Sequence, residues 1–294
     1  MKGPARQYGL GLSTRTKVAC ARMASRGATV VRKIVGLDSR ARVARGGIQW
    51  DLDLREGIDL TIFLLGMFER ETVLTCRRLI RPGDIVLDIG ANIGAHTLPL
   101  ACCVGPTGRV VAFEPTDFAF RKLVTNVGLN PELATRIRAE QIMLVDQSGQ
   151  PVAPRLHSSW PLSAQAGLHE KHCGKLMDTT GARAMALDEY LDQARIEKVA
   201  FIKMDVDGHE CGVLRGSKAT LTRHRTVIVM ELAPYVLEET GHSVEELLEI
   251  LESLGYGLTA MSNDRPLPTD PRTLRVIIPE GYSLQVLARP ASRS

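Results

Sequence analysis

Glycines and carboxylates with the spacing of a nucleoside site lie between residues 86 and 115 of the sequence. Gly90 and Gly94 permit a sharp turn and let a ligand approach the backbone closely, and the helix predicted after them offers free N–H groups. Glu114 lies 20 residues beyond Gly94, at the predicted end of the next strand. Its carboxylate can accept two hydrogen bonds from ribose hydroxyls, which is how parallel sheets bind nucleosides.

The turn reads D-x-G-x-x-x-G, whereas dinucleotide-binding proteins carry G-x-G-x-x-G. Asp88 would repel a pyrophosphate and attract an ammonium group. S-adenosylmethionine has an ammonium and no phosphate, so the pattern favours it over NAD as the cofactor. Alternatively, Asp88 mainly fixes the turn through backbone N–H groups. The expected cofactor-binding residues are Asp88, Gly90, Ala91, Asn92, Gly94, Glu114, Pro115 and Asp146.

Short apolar runs alternate with longer amphipathic segments from about residue 57 onwards. Strands are predicted at residues 85–89, 109–113, 142–145, 199–204, 226–230, 256–261, 274–278 and 283–287. Helices are predicted at residues 95–104, 116–129, 187–194, 209–221 and 243–254, the last opened by a Ser243–Glu246 capping box. This alternation predicts an α/β fold with a parallel sheet covered by helices.

Residues 150–182 show neither a helical nor a strand period and are rich in Pro, Ser, Gly and His. A segment of this length inside a compact domain is typical of a lid or a substrate loop. We therefore predict a single domain over residues 57–294, with this segment covering the substrate.

The first 50 residues contain 11 Lys and Arg but only one acid, Asp38, whereas the other 244 contain 26 basic and 32 acidic residues. Residues 1–56 are thus predicted to be a basic N-terminal extension, solvated and partly frayed. The alternative is weak contact with an anionic membrane surface or a nucleic acid. Nucleic acid is not the expected partner, because aromatic residues for base stacking are few, at 4% of the sequence.

Composition and cysteine usage limit the remaining classes. With 294 residues, 44% of them hydrophobic, the chain can bury a large core. The six cysteines form no C-x-x-C pair and are expected to be reduced thiols. Without a long apolar run or a secretory signal, a cytoplasmic location is expected. The oligomeric state cannot be read from the sequence.

The sequence resembles the FkbM family of class I methyltransferases over about residues 57–280. The matching segments, in the expected order, are residues 66–69, 83–94, 111–115, 126–130, 202–210 and 228–231. The resemblance implies a seven-stranded, mostly parallel, Rossmann-like sheet and S-adenosylmethionine as methyl donor. It also implies methylation of a hydroxyl on a sugar, polyketide or other small molecule. Asp207 stands where the family usually has glutamate, and the first 50 residues match nothing in the family.

By this resemblance, the acceptor lies beside the polar residues that follow the fourth strand. Asp205 is the expected general base or acceptor-orienting residue, and His209 is the next candidate because an ordinary histidine pKa is near 6.5. Asp207 belongs to the same candidate catalytic group, although it could instead cap the helix predicted to begin near His209. Glu210 and Glu231 are expected to bind the acceptor, although Glu210 could instead cap the following helix and Glu231 could only satisfy a loop.

Two other functional classes remain open at this stage. Asp205 and Asp207 also form a D-x-D pair, which holds a divalent ion in glycosyltransferases, although that function leaves the glycine turn and Glu114 unexplained. A non-catalytic nucleoside-binding protein is the second alternative. The segment His169–Cys173 offers two imidazoles and a thiol, but its spacing is not H-E-x-x-H, so we expect no metal site.

Overall fold

A sheet of mostly parallel strands, covered by helices, lies at the centre of a computed structural model that describes residues 7–162, 168–169 and 173–291. The helices are α1 (Thr14–Ile34), α2 (Gly57–Leu65), α3 (Arg70–Leu79), α4 (Thr97–Val104), α5 (Asp117–Gly128), α6 (Pro131–Ala134), α7 (Leu187–Gln193), α8 (Glu210–Arg215), α9 (Lys218–His224), α10 (Pro234–Glu239), α11 (Val244–Ser253) and α12 (Pro271–Ile277). The strands are β1 (Arg40–Arg45), β2 (Ile48–Asp53), β3 (Ile85–Ile89), β4 (Arg109–Phe113), β5 (Ile137–Glu140), β6 (Ile142–Leu144), β7 (Arg155–Ser159), β8 (Lys175–Asp178), β9 (Arg183–Met185), β10 (Phe201–Met204), β11 (Val227–Leu232), β12 (Tyr256–Ala260) and β13 (Leu284–Pro290). Across these described ranges, no helix has the length and apolar character needed to cross a bilayer.

Seven strands of the described chain form the central sheet, in the order β12, β13, β11, β10, β3, β4, β5. Strand β13 pairs antiparallel with both of its neighbours, and the other pairs are parallel. Val86 and Leu87 of β3 are both fully buried, because both faces of a parallel sheet are covered. The prediction of a seven-stranded, mostly parallel α/β sheet is confirmed.

The third parallel strand differs from the prediction. Strand β5 pairs with β4, whereas the predicted segment at residues 142–145 leaves the sheet as β6 and pairs with β9. The β5 residues Ile-Arg-Ala-Glu are partly exposed, as they can be in an edge strand. They contain no apolar run, so periodicity does not detect them.

Two further predicted elements are wrong. The helix predicted at residues 209–221 is interrupted between α8 and α9, where a Cβ on Gly216 would lie 2.1 Å from the Val145 carbonyl oxygen. The strand predicted at residues 274–278 belongs largely to α12. Asp270 caps that helix by accepting a hydrogen bond from the Thr273 N–H at 2.9 Å, and a proline follows the cap.

Much of the basic N-terminal segment is folded into the body of the protein. Trp50 and Leu52 are buried and share a core with Ile93 and Leu98, beside the glycine turn. The expectation of a solvated, frayed extension is therefore wrong for residues 40–54. Strand β2, Ile-Gln-Trp-Asp-Leu-Asp, alternates apolar and polar residues, a signal that charge counting overlooks. The domain boundary after this segment stays a prediction.

Two asparagine side chains attach the β1–β2 hairpin to the rest of the protein. Asn126 Oδ1 accepts a hydrogen bond from the Asp51 N–H at 2.8 Å, and Asn130 Oδ1 accepts one from the Gln49 N–H at 2.9 Å. Asn126 also donates to the Ile93 carbonyl oxygen at 2.9 Å. Both asparagines are buried, so the hairpin, α5 and the glycine turn form one hydrogen-bonded unit.

The segment at residues 150–182 contains an antiparallel ribbon formed by β7 and β8. The prediction of a segment without regular structure is therefore wrong for these two strands. Residues 163–167 and 170–172 lie outside the described residues. Most of the segment from residue 169 to residue 173, which was considered above as a metal site, lies among them. The ribbon supplies residues to the cavity described below.

Two local predictions are confirmed. All six cysteines are free thiols. Ser243 caps α11, with its hydroxyl accepting a hydrogen bond from the Glu246 N–H at 3.1 Å. The capping-box spacing therefore located the beginning of this helix correctly.

Candidate functional site

The glycine turn joins β3 to α4 and contacts the end of β10. Gly90 has a φ of 78°, and a Cβ there would lie 1.8 Å from the carbonyl oxygen of Asp205. Gly94 has a φ of 90°, and its Cβ would lie 2.9 Å from the Leu123 side chain. Only glycine satisfies both the backbone angle and the space at residue 90. The turn is thereby held between β10 and α5.

Glu114 lies at the end of β4 and is 3% exposed. Its Oε2 accepts a hydrogen bond from the Asn92 N–H at 2.9 Å, and its Oε1 accepts bonds from the Thr116 N–H at 2.9 Å and hydroxyl at 2.5 Å. Burial raises the pKa of Glu114, and these hydrogen bonds partly offset that rise. Oε2 retains a lone pair that can accept a bond from a ligand hydroxyl.

A cavity of about 400 Å³ lies among the glycine turn, the ends of β4 and β10, and the β7–β8 ribbon. This volume is within the range of small-molecule sites. Eight of the predicted site residues line it: Gly90, Ala91, Asn92, Glu114, Pro115, Asp205, Asp207 and His209. Apolar lining comes from Phe68, Phe113, Met143, Leu144, Leu156 and Trp160, among others. A backbone turn, a buried carboxylate and apolar walls suit a nucleoside with a polar extension.

The ribbon is bonded directly to the glycine turn. Asn92, with a φ of 47°, donates from Nδ2 to the Ser158 carbonyl oxygen at 2.7 Å. The Ser158 hydroxyl lies 2.9 Å from the Thr116 hydroxyl, which bonds Glu114. Sequence reasoning missed Ser158 because its strand lies in a segment predicted to be irregular.

Lys203 is a second residue that sequence reasoning missed. It is 4% exposed in β10, and its Nζ lies 3.4 Å from Asp205 Oδ2 and 3.7 Å from Asp88 Oδ1. It also donates to the Gly90 carbonyl oxygen at 3.3 Å. Burial alone would lower the pKa of Lys203, but Asp205, Asp88 and Glu69 outweigh burial and raise it. A permanently charged ammonium therefore lies between the turn and the carboxylates.

Asp88 lies beneath the turn, outside the cavity lining. Its Oδ2 accepts a hydrogen bond from the Thr97 hydroxyl at 2.6 Å, and its Oδ1 accepts none from the described residues. The carboxylate is directed to the side chains of Thr97 and Lys203 and accepts no hydrogen bond from a backbone N–H of the described residues, so the alternative of fixing the turn through backbone N–H groups is not what the structure shows. Gly94 and Asp146 also lie outside the lining.

Three carboxyl groups form an acidic cluster beyond β10 and β11. Oxygens of Asp205, Asp207 and Glu231 lie within 4.8 Å of one another. Burial, followed by Asp205 and Glu231, raises the pKa of Asp207 well above its ordinary range. Burial, followed by Asp205 and Glu69, raises the pKa of Glu231 to about 8. Asp207 and Glu231 therefore bind a proton more tightly than ordinary carboxyl groups do, and Glu231 lies outside the cavity lining.

His209 and Glu210 begin α8 and differ in environment. Burial and the neighbouring His242 lower the pKa of His209, so the ring is neutral at pH 7 and can accept a proton. Burial raises the pKa of Glu210 to about 7. Glu210 Oε1 accepts a hydrogen bond from the Gly208 N–H at 3.4 Å and lies outside the cavity lining. This position supports its helix-capping alternative.

A further pair, Glu69 and His96, lies near Lys203. His96 is 4% exposed and lines the cavity, and its Nε2 lies 3.2 Å from Glu69 Oε2. Burial tends to raise the pKa of Glu69, but His96 and Lys203 outweigh it and lower that pKa. Glu69 belongs to the segment at residues 66–69 that matched the family resemblance, which was the available signal for its importance.

Two groups in the described part of the chain bring three possible metal ligands within 4.8 Å of one another. One is the acidic cluster, in which Lys203 already supplies a positive charge to Asp205. The other consists of Cys211, His242 and Glu246, and Arg215 pairs with that glutamate. Both groups thus have a protein cation as partner.

Comparison with known proteins identifies a family to which this chain is similar. The family model described as "Methyltransferase FkbM domain" matches residues 88–258. Hexuronic acid methyltransferase AglP from Haloferax volcanii is 30% identical over 149 residues, covering 50% of this chain and 55% of that protein. The match therefore spans little more than half of that relative.

Two other relatives are covered more fully. 2-O-methyltransferase NoeI from Sinorhizobium fredii is 26% identical over 186 residues, covering 59% of this chain and 73% of that protein. 31-O-demethyl-FK506 methyltransferase FkbM from Streptomyces tacrolimicus is 26% identical over 213 residues, covering 64% of this chain and 77% of that protein. In each comparison, part of this chain lies outside the match.

Proposed function

The chain belongs to the FkbM methyltransferase family, and on that premise we propose that it transfers a methyl group from S-adenosylmethionine to a hydroxyl oxygen of a small molecule, such as a sugar or a polyketide. One observation carries the proposal: Glu114, a ribose-binding candidate, and Asp205, a proton-accepting candidate, line the same cavity. The relatives named for 2-O- and 31-O-methylation support oxygen as the methylated atom.

The cofactor end of the site is formed by the glycine turn and Glu114. When bound, S-adenosylmethionine supplies a methyl carbon attached to a positively charged sulfur. Glu114 holds the ribose through its buried carboxylate, and Gly90 keeps the backbone free of a side chain there. Lys203 fixes this end by bonding the Gly90 carbonyl oxygen while it neutralises Asp88 from below.

The acceptor end contains groups with different protonation states. In methyl transfer to an acceptor hydroxyl, Asp205 or neutral His209 would take up the proton that the hydroxyl loses. Burial and acidic neighbours raise the pKa of Asp207, and in its protonated form it would donate a hydrogen bond to the acceptor. Positioning two reactants can contribute about 7–11 kcal/mol, and a general base about 10²–10⁴-fold.

Calorimetric titration of S-adenosylmethionine and S-adenosylhomocysteine tests the cofactor end. We expect saturable binding, weakened about 10- to 100-fold or more in Glu114→Ala, because each hydrogen bond to a charged group contributes about 1.5–3 kcal/mol. Glu132→Ala, which removes an exposed glutamate from α6, is the matched control and should bind like the wild type. If folded wild-type protein binds neither compound, the proposal fails.

The acceptor end is tested by incubating the protein with ¹³C-methyl S-adenosylmethionine and a panel of sugars and polyketides. Product NMR distinguishes an O-methyl ether from an N-methyl group. An N-methylated product would refute the oxygen assignment while leaving the cofactor intact. Turnover of a nucleotide sugar with manganese would instead support the glycosyltransferase alternative.

A further inference from the structure

Helix α1 exposes an apolar stripe along its outer side. Met23, Val30 and Ile34 are 76%, 57% and 78% exposed, and their spacing of seven and four residues places them on one helical face. The opposite face is attached to the protein, because Val18 is buried and the Ser25 hydroxyl donates to the Leu54 carbonyl oxygen at 2.7 Å. Helix α1 thus has one face packed against the protein and a second, apolar face exposed.

The exposed stripe continues beyond the end of α1. The Arg32 guanidinium lies 6.0 Å from the Phe63 ring, so the carboxyl ends of α1 and α2 are adjacent. Further exposed apolar side chains occur in α1, after it and at the end of α2: Val31, Val35, Leu37, Leu64 and Leu65, each at least 51% exposed. Together with Met23, Val30 and Ile34, these residues are called the apolar patch.

Positive charge accompanies the apolar patch. Helix α1 contains six basic residues and no acidic residue. Arg15, Arg26 and Lys33 are exposed, and their spacing of 11 and seven residues places them along one line beside the stripe. Basic residues flanking an exposed apolar face are typical of helices that lie in the interface of a bilayer with anionic lipids.

We propose that the apolar patch and this basic line dock onto the anionic surface of a lipid bilayer. The apolar side chains enter the boundary between head groups and acyl chains, and the basic side chains contact lipid phosphates. Charge decides between this occupant and a second copy of the chain. Pairing two such faces would bring the basic residues of both copies together, whereas an anionic surface complements them. The inference is independent of the proposed function.

Flotation with vesicles tests the docking surface. The probes are vesicles of equal parts phosphatidylcholine and phosphatidylglycerol, and vesicles of phosphatidylcholine alone. We expect the wild type to float with the anionic vesicles and to be released by salt, because interfacial attraction between charges is screened. Failure to bind the anionic vesicles at low salt would overturn the proposal.

Two sets of substitutions separate the apolar from the charged contribution. The combined change Met23→Ser, Val30→Ser and Ile34→Ser should weaken partitioning of the protein onto the anionic vesicles at least about tenfold. The control is Val124→Ser with Val276→Ser, which replaces exposed apolar residues on α5 and α12 and should leave partitioning unchanged. Replacing Arg15, Arg26 and Lys33 by serine should weaken it roughly fivefold per residue. The matched basic control is Arg77→Ser, Arg223→Ser and Arg272→Ser.

Light scattering and circular dichroism complete the test. All variants should keep the far-ultraviolet circular dichroism spectrum of the wild type, which verifies that they fold. Equal losses in the patch variants and their controls would refute a specific surface. A dimer that the Met23, Val30 and Ile34 substitutions abolish, without vesicle binding by the wild type, would assign the face to a second copy and overturn the proposal.

Discussion

Replacing Lys203 with methionine removes the positive charge that the described structure places between the glycine turn and the acidic cluster. Lys203 is 4% exposed and contacts Asp205, Asp88 and the Gly90 carbonyl oxygen. Methionine keeps most of the side-chain volume but leaves both carboxylates without their cation. Removing one partner of a buried ion pair costs about 3–5 kcal/mol, and we expect a loss of that size in the free energy of unfolding at pH 8.

The loss should depend on pH, and its direction follows from protonation. The folded pKa of Lys203 is raised above its ordinary value of 10.5, so in the wild type its stabilisation is fully present below pH 10.5 and constant between pH 5 and pH 9. Lys203→Met lacks this titrating group. The difference between the two proteins should therefore be constant from pH 5 to pH 9 and shrink as the pH rises above 10.5.

Urea unfolding at a series of pH values measures this difference. Lys198→Met removes an exposed lysine just before β10 and should change stability by less than about 0.5 kcal/mol. Adding Asp88→Asn to Lys203→Met should restore part of the loss, because a neutral pair is less costly than an unpaired charge. A loss below about 1 kcal/mol at pH 8 would refute the assigned role.

Three other substitutions test separate features of the site. Glu231→Gln should flatten the dependence of the free energy of unfolding on pH. The folded pKa of Glu231, near 8, exceeds the ordinary 4.5, so the wild type loses stability as the pH rises from about 4.5 through 8, by up to about 1.4 kcal/mol per pH unit. Equal slopes of wild type and variant in urea unfolding would contradict this. Gly90→Ala should abolish cofactor binding in calorimetry. Gly36 has the same φ of 78° but nothing within 4 Å of a Cβ, so Gly36→Ala should cost only about 1–2 kcal/mol of stability. Similar effects of the two substitutions would remove the steric explanation. Asp205→Asn should retain cofactor binding and lower turnover about 10²–10⁴-fold, and unchanged turnover on the true acceptor would exclude it as the base.

The parts of the site that sequence reasoning located are those encoded within short segments. Gly90 and Glu114 follow buried strands whose apolar runs are visible in the sequence, and the ends of neighbouring parallel strands necessarily meet. The order of the motifs along the chain then identified the family. Local spacing and chain order were thus sufficient for the cofactor end.

The parts that were missed depend on contacts between distant segments. In the strand Phe-Ile-Lys-Met, Lys203 reads as an ordinary polar residue, and its burial results from pairing with β3 on one side and β11 on the other. Ser158 acquires its role only when its strand reaches Asn92, 66 residues earlier in the chain. Asp88 shows the same limit, because its partners Thr97 and Lys203 cannot be chosen from the motif alone.

The hydrogen bonds between the N-terminal hairpin and the two asparagines fix an order of events during protein synthesis. Gln49 and Asp51 bond side chains that lie 81 and 75 residues later in the chain. The hairpin therefore leaves the ribosome long before its partners have been synthesised, and strand β2 lacks its hydrogen bonds to the two asparagines until α5 and the residues after it have been made. Such a high separation between partners slows folding. The hairpin is translated before its partners and is consequently among the segments that reach their final contacts after much of the chain has emerged.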